Sequence, residues 1–180
     1  MWKIRFYRSE QDFIQFHQKL KNLPCPHCKC VGFLILHGFL KGFILPDKPD
    51  AIRGHRIFCS NRNRKKGCGR TFSIVLSWLI SRLAVTTHQL FKFIGNIVSG
   101  SKIKAALDIS YSEKSKYRLY RKWISRQPAI RTRLLMRSQP PFSKHHHSPP
   151  AETSQHLKLC FKHVFCAFEA FQFHCQTAIL

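Results

Sequence analysis

Carboxylates are scarce in this chain. It has 8 Asp+Glu among 180 residues, against 31 Lys+Arg, for a formal net charge of +23. No paired carboxylates suited to general acid–base work stand out, and no glycine-rich phosphate loop is present. Long apolar runs are also missing. The longest, residues 72–80, is interrupted by Ser73 and Ser77 and is too short to span a bilayer. The opening MWKIRFYRSE shows no apolar signal core and no small-residue cleavage site. These absences lead to the expectation of a cytoplasmic protein that is not an enzyme and does not engage a membrane.

What is present is positive charge, phenylalanine and cysteine. Basic residues outnumber acidic ones in every quarter of the chain. Such an excess opposes compaction by self-repulsion, so a polyanionic partner is expected, with nucleic acid ahead of an anionic membrane surface. Hydrophobic residues make up 44% of the chain and phenylalanine alone counts 16. Enough apolar surface is therefore available to build a core, unlike a disordered polycation. Eight cysteines in a cytoplasmic chain point to metal ligation rather than a disulfide framework.

Local signals place the elements. Ser9 and Asp12 form an approximate capping pair, and Phe13, Phe16 and Leu20 then fall on one face, predicting a helix over 9–22. Residues 31–44 and 52–59 are short, apolar and punctuated by glycine, which predicts strands joined by a turn at 45–50. A further short strand is expected at 70–73. From about residue 76 the pattern is helical. Thr86 and Gln89 make a capping box, with Leu90, Phe93, Ile94 and Ile97 at helical spacing behind it. A short helix is read in SKIKAALDI, a tight connection in ISYS, and a third helix from Ser112 to about Ser125. Pro128 is read as the start of another short helix. Residues 138–155 form a Pro/Ser/His-rich linker, and 156–172 return to helical spacing.

Four cysteines carry the most specific chemistry. Cys25 and Cys28 are separated by two residues, and Cys59 and Cys68 by eight. Two such turns on short strands can supply four sulfur ligands to a tetrahedral structural Zn2+. The eight-residue interval holds Arg62, Arg64, Lys65 and Lys66, with Arg70 just beyond. It reads as an enlarged ligand loop that presents cations to a phosphate backbone. The competing reading makes Cys59 and Cys68 merely small buried apolar residues. Cys30, His27, His37 and His55 are possible substitute ligands, better read as structural or exposed residues. Cys160, Cys166 and Cys175 alternate with phenylalanine and read as core. The run from His145 to His147 reads as solvated linker.

CPHC, a glycine-punctuated apolar segment, RGHRIFC and CGRTFS together resemble the zinc ribbon of insertion-sequence transposases. Cys25, Cys28, Cys59 and Cys68 match the ligand positions, and Arg56, Phe58, Gly69, Arg70, Thr71 and Phe72 match the second turn. The resemblance covers about residues 24–75. It implies that the ribbon leads into a helix-turn-helix and that both bind the element's terminal DNA. The eight-residue interval departs from the family's usual second turn. The chain also lacks the acidic cluster of the family's catalytic domain, so no strand-transfer centre is expected.

The expected architecture is α+β: an N-terminal helical segment (1–23), a zinc-ribbon β module (24–75), an all-α helix-turn-helix (76–126), then a linker and Phe-rich helical tail (127–180). On the third helix, Lys114, Ser115 and Arg118 are assigned to base edges, and Arg121 and Lys122 to phosphates. The expected partner is double-stranded DNA, alongside a homodimer mate or a separate transposase subunit. The alternatives are an RNA-binding or ribosome-associated zinc-ribbon protein and a stand-alone transcriptional regulator.

Overall fold

The computed structural model describes residues 4–43, 51–64, 66–81, 83–107, 111–140 and 148–180. It is an α+β protein whose chain divides into two compact units, Met1–Ala84 and Val85–Leu180.

The first unit is a four-stranded mixed sheet in the order β1-β4-β3-β2. Its strands are β1 (Ile4–Tyr7), β2 (Leu34–Gly42), β3 (Ala51–Cys59) and β4 (Thr71–Leu76). The strand pairs β2–β3 and β3–β4 are antiparallel, and β1 runs parallel to β4. Strand β1 is absent from the sequence reading, because a four-residue segment carries too little periodicity to identify. Strand β4 runs beyond the expected 70–73. The expected turn at 45–50 lies outside the described residues.

Helix α1 (Glu10–Gln18) begins where the capping pair places it. Ser9 Oγ accepts from the Asp12 amide, and the Asp12 carboxylate accepts from the Ser9 amide. The helix is shorter than expected, and a 3-10 turn at Leu20–Asn22 follows it. Side chains alternate along a strand, so Ile57 and Cys59 of β3 share one face with their register mates Phe72 and Leu34. Tyr7, Phe13, Leu20 and Ile74 complete that core. Each large side chain buried there contributes about 1.5–3 kcal/mol.

The second unit is helical: α2 (Thr87–Val98), α3 (Glu113–Leu135), α4 (Pro149–Cys160) and α5 (Ala167–Cys175). The Thr86–Gln89 capping box starts α2, and Ser112 caps α3 by accepting from the Ser115 amide. Three expectations need correction. Residues 103–105 form a turn instead of a helix, and 108–110 lie outside the described residues. Helix α3 does not stop near Ser125 and restart at Pro128; it runs unbroken for 23 residues. Its buried Leu119, Trp123, Gln127, Ile130 and Leu134 recur at helical spacing, while Pro128 lies on the exposed side. The tail is two helices rather than one. Helix α4 starts within the expected linker because Pro149 and Pro150 occupy the first turn, where a missing N–H costs little.

Trp123 stacks on Phe168 at 4.9 Å. The Gln127 amide, oriented to satisfy its neighbours, accepts from Trp123 Nε1 and donates to Thr153 Oγ1 and the Pro149 carbonyl. Phe168, Phe171 and Cys166 are buried, whereas Cys160 and Cys175, also read as core, are only half-buried. Among the described residues no helix is long and apolar enough to cross a membrane.

Candidate metal centre

The sheet brings the two ends of the cysteine pattern together. Cys59 closes β3 and pairs in register with Leu34, which places it beside the turn at 25–28. Cys68 returns just before β4. The sulfur atoms of Cys25, Cys28, Cys59 and Cys68 all lie within 4.8 Å of one another. The Cys25–Cys68 and Cys28–Cys59 separations are 3.8 and 3.7 Å. A disulfide would hold its sulfurs near 2.05 Å. A tetrahedron with metal–sulfur bonds of about 2.3 Å has edges of about 3.8 Å. The cluster therefore has the dimensions of a four-thiolate metal site, and it is the one such group of three or more potential ligands among the described residues.

The two turns share a backbone plan. In the first, the Cys25 amide donates to the Cys30 carbonyl and the Lys29 amide to the Cys25 carbonyl. In the second, the Cys59 amide donates to the Arg70 carbonyl and the Gly69 amide to the Cys59 carbonyl. A backbone amide also points at the first sulfur of each turn: His27 N–H at Cys25 Sγ and Cys68 N–H at Cys59 Sγ, both at 3.4 Å. The eight-residue interval is thus an insertion at the crown of the turn, and the ligand-bearing frame beneath it is unchanged.

Ionisation is uneven. The Cys28 thiol is lowered to about 6, chiefly by a hydrogen bond from the Cys30 backbone. Burial raises Cys59 to about 12, and burial raises Cys68 as well. Cys28 therefore ionises more readily than Cys59 or Cys68. A bound dication would supply the charge that favours thiolate at all four. Cys30 is a poor substitute ligand: its thiol is directed to the Cys28 carbonyl at 3.8 Å, and contact with Cys28 raises its pKa. His27 lies 3.4 Å from the Thr71 carbonyl, His37 packs on Phe58, and His55 is buried against Phe13. The run from His145 to His147 lies outside the described residues.

The insertion stands out as a basic arm. Its base is pinned: the buried Ser60 donates its amide to the Phe33 carbonyl at 2.7 Å. Gly67 approaches so closely that a Cβ there would fall 2.1 Å from the Ser60 carbonyl oxygen. Arg62, Arg64, Lys66 and Arg70 are exposed; Lys65 lies outside the described residues. The Arg62 guanidinium sits over the Phe58 ring at 5.5 Å. Phe58 alternates with Ile57 and Cys59, so it lies on the sheet face opposite the core and α1. Arg56, exposed and two residues back on β3, shares that opposite face. Glu10 and Asp12, the acids described in this unit, both sit in the first turn of α1.

On α3, Lys114, Ser115, Arg118 and Arg121 are exposed and Lys122 is half-buried. Leu119 and Trp123 face inward as expected, Tyr120 is half-buried, and Ile124 is exposed. The sequence reading missed the aromatic support that Phe58 gives to Arg62, a contact with no local signature. Compared with family models, with curated proteins and with solved structures, the chain gives no match.

Proposed function

We propose that this is a DNA-binding protein related to insertion-sequence transposases. In this reading a structural Zn2+ sits on Cys25, Cys28, Cys59 and Cys68. Four protein thiolates leave no open coordination position, so the ion folds the site and does not catalyse. The basic arm and the exposed cations of α3 grip duplex DNA, with α3 as the recognition helix. The chain carries no strand-transfer centre of its own and works with a homodimer mate or a separate transposase subunit.

The observation that carries the reading is the arm itself. A run of Arg and Lys is held between two cysteines of one metal-sized cluster, and the described acids of that unit sit at the start of α1. An exposed segment whose charged side chains are all cationic suits a phosphate backbone and gains counterion-release affinity.

The test is selection from a random duplex library by zinc-loaded protein, with titration of the bound pool against salt. Enriched sequences and a steep loss of affinity with salt support the reading. Failure to bind any duplex sinks it.

A second reading is favoured by one feature. Phe39 and Phe43 of the β2 edge region are 55% and 49% exposed, as base-stacking residues of an RNA-binding module would be. Single-stranded RNA that displaces bound duplex would move the assignment there.

A further inference from the structure

We propose that the arm between Cys59 and Cys68 reads base edges in the major groove, with Asn63 and Arg64 as its reading residues. The inference rests on the duplex-DNA reading above and assigns this arm a task beyond phosphate contact.

The first argument is the tip. Asn63 and Arg64 are consecutive non-glycine residues in the left-handed region, at φ 51 and 61. A contact to phosphate needs only charge on a flexible stem. An arginine in a disfavoured backbone conformation stores strain, and such outliers concentrate where ligands are clamped.

Rigidity is the second. The base of the arm is closed by the Ser60–Gly67 approach, by the Ser60 amide bond to Phe33, and by Cys59 and Cys68 in the metal cluster. Arg62 lies back over Phe58. The base of the arm is therefore set before it meets DNA, which lowers the ordering cost of binding.

Width decides the groove. At its base, where Gly67 closes on the Ser60 carbonyl, the arm is two backbones across, and neighbouring backbones stand about 4.8 Å apart before side chains are added. The major groove, about 12 Å wide, admits such a ribbon, whereas the minor groove, about 6 Å wide, does not. The chemistry at the tip then matches the groove. Arginine forks onto guanine O6 and N7, and asparagine pairs with adenine N6 and N7.

The test uses the full zinc-loaded chain and the duplex that binds tightest in the library selection, synthesised in three forms: natural, with 7-deazaguanine for guanine, and with hypoxanthine for guanine. The first substitution removes the major-groove N7 acceptor and the second the minor-groove amino group; neither alters the phosphates. We expect roughly tenfold weaker binding to the 7-deazaguanine duplex and little change with hypoxanthine. Arg64→Lys, which keeps the charge but loses the fork, should bind the natural duplex more weakly than the wild type does, and should lose distinctly less than the wild type on the 7-deaza form. Arg118→Ala should still respond to 7-deazaguanine. Retained zinc content in both variants shows that the fold is intact.

The proposal is overturned if hypoxanthine is the damaging change, if neither analogue matters, if the 7-deaza response disappears in Arg118→Ala but persists in Arg64→Lys, or if duplexes bind without any sequence being enriched. Each of those outcomes leaves the protein a DNA binder. Absence of duplex binding altogether would instead remove the reading beneath it.

Discussion

Lys29 and Gly69 hold the same backbone conformation, at φ 67 and 68, each one residue past the second cysteine of its turn. The match explains how an interval of eight residues and one of two can build equivalent halves of a metal site. The extra residues rise from the crown, while the left-handed residue after the second cysteine brings the chain back to pair with the first. Glycine adopts this conformation freely, and a lysine bears a cost of about 1–2 kcal/mol. We therefore expect Gly69→Ala to destabilise the first unit by about that amount, more if the Asn61 side chain, 2.8 Å from the added Cβ, cannot move aside. Lys29→Gly should be neutral to mildly stabilising. Thermal denaturation of the two variants checks the pair; a larger loss from Lys29→Gly than from Gly69→Ala would break the equivalence.

The sulfur geometry predicts one metal ion per chain. Cys28→Ser or Cys59→Ser should abolish stoichiometric zinc in the purified protein, whereas Cys30→Ser should retain it. Chelation should make the first unit protease-sensitive, because a structural zinc contributes folding free energy directly. Elemental analysis with limited proteolysis reads both effects. Full zinc content in Cys28→Ser would remove that residue from the ligand set.

His55 is an unsatisfied group in the first core. Its ring lies 3.4 Å from that of Phe13 at an interplanar angle of 4°, and neither nitrogen has a partner among the described residues. Burial holds this imidazole below its ordinary range, against a smaller upward pull from Glu10. The unfolded chain, with its histidine near 6.5, therefore takes the proton first. The resulting contribution to stability is present above pH ~6.5 and is lost as the pH falls below it. His55→Phe should raise stability by about 1–3 kcal/mol and flatten the acid limb of the melting profile. An unchanged acid limb would show that another group sets it.

Pro128 lies in the interior of α3, where its ring displaces the bond an amide would make to the Ile124 carbonyl. Since Pro128 is exposed, Pro128→Ala should restore that bond without disturbing packing, and should stabilise the second unit by up to about 3 kcal/mol. Chemical denaturation measures the gain. A destabilised variant would mean that the helix depends on the bend proline imposes.

How far the sequence could be read follows the range of each interaction. The caps at Ser9, Thr86 and Ser112 form between residues three apart, so their letters alone place three helix starts. The Cys25–Cys28 spacing pointed to a metal site from its letters alone. Strands β2 and β3 were legible from apolar runs cut by glycine. By contrast, β1 exists only because Ile4–Tyr7 finds β4 some seventy residues later, with Ile4 opposite Ser73. Nothing within four residues can announce that.

By itself, the sequence determined the charge, the local caps, the cysteine content and the cationic content of the arm, because each depends on residue identity or on neighbours within one turn. Tertiary structure decided the rest. It brought Cys25 to 3.8 Å from Cys68, seated Arg62 on Phe58, and set Phe58 on the sheet face opposite the core. It also drew α3 through a proline, because burying Trp123, Ile130 and Leu134 on one face outweighs a single lost hydrogen bond.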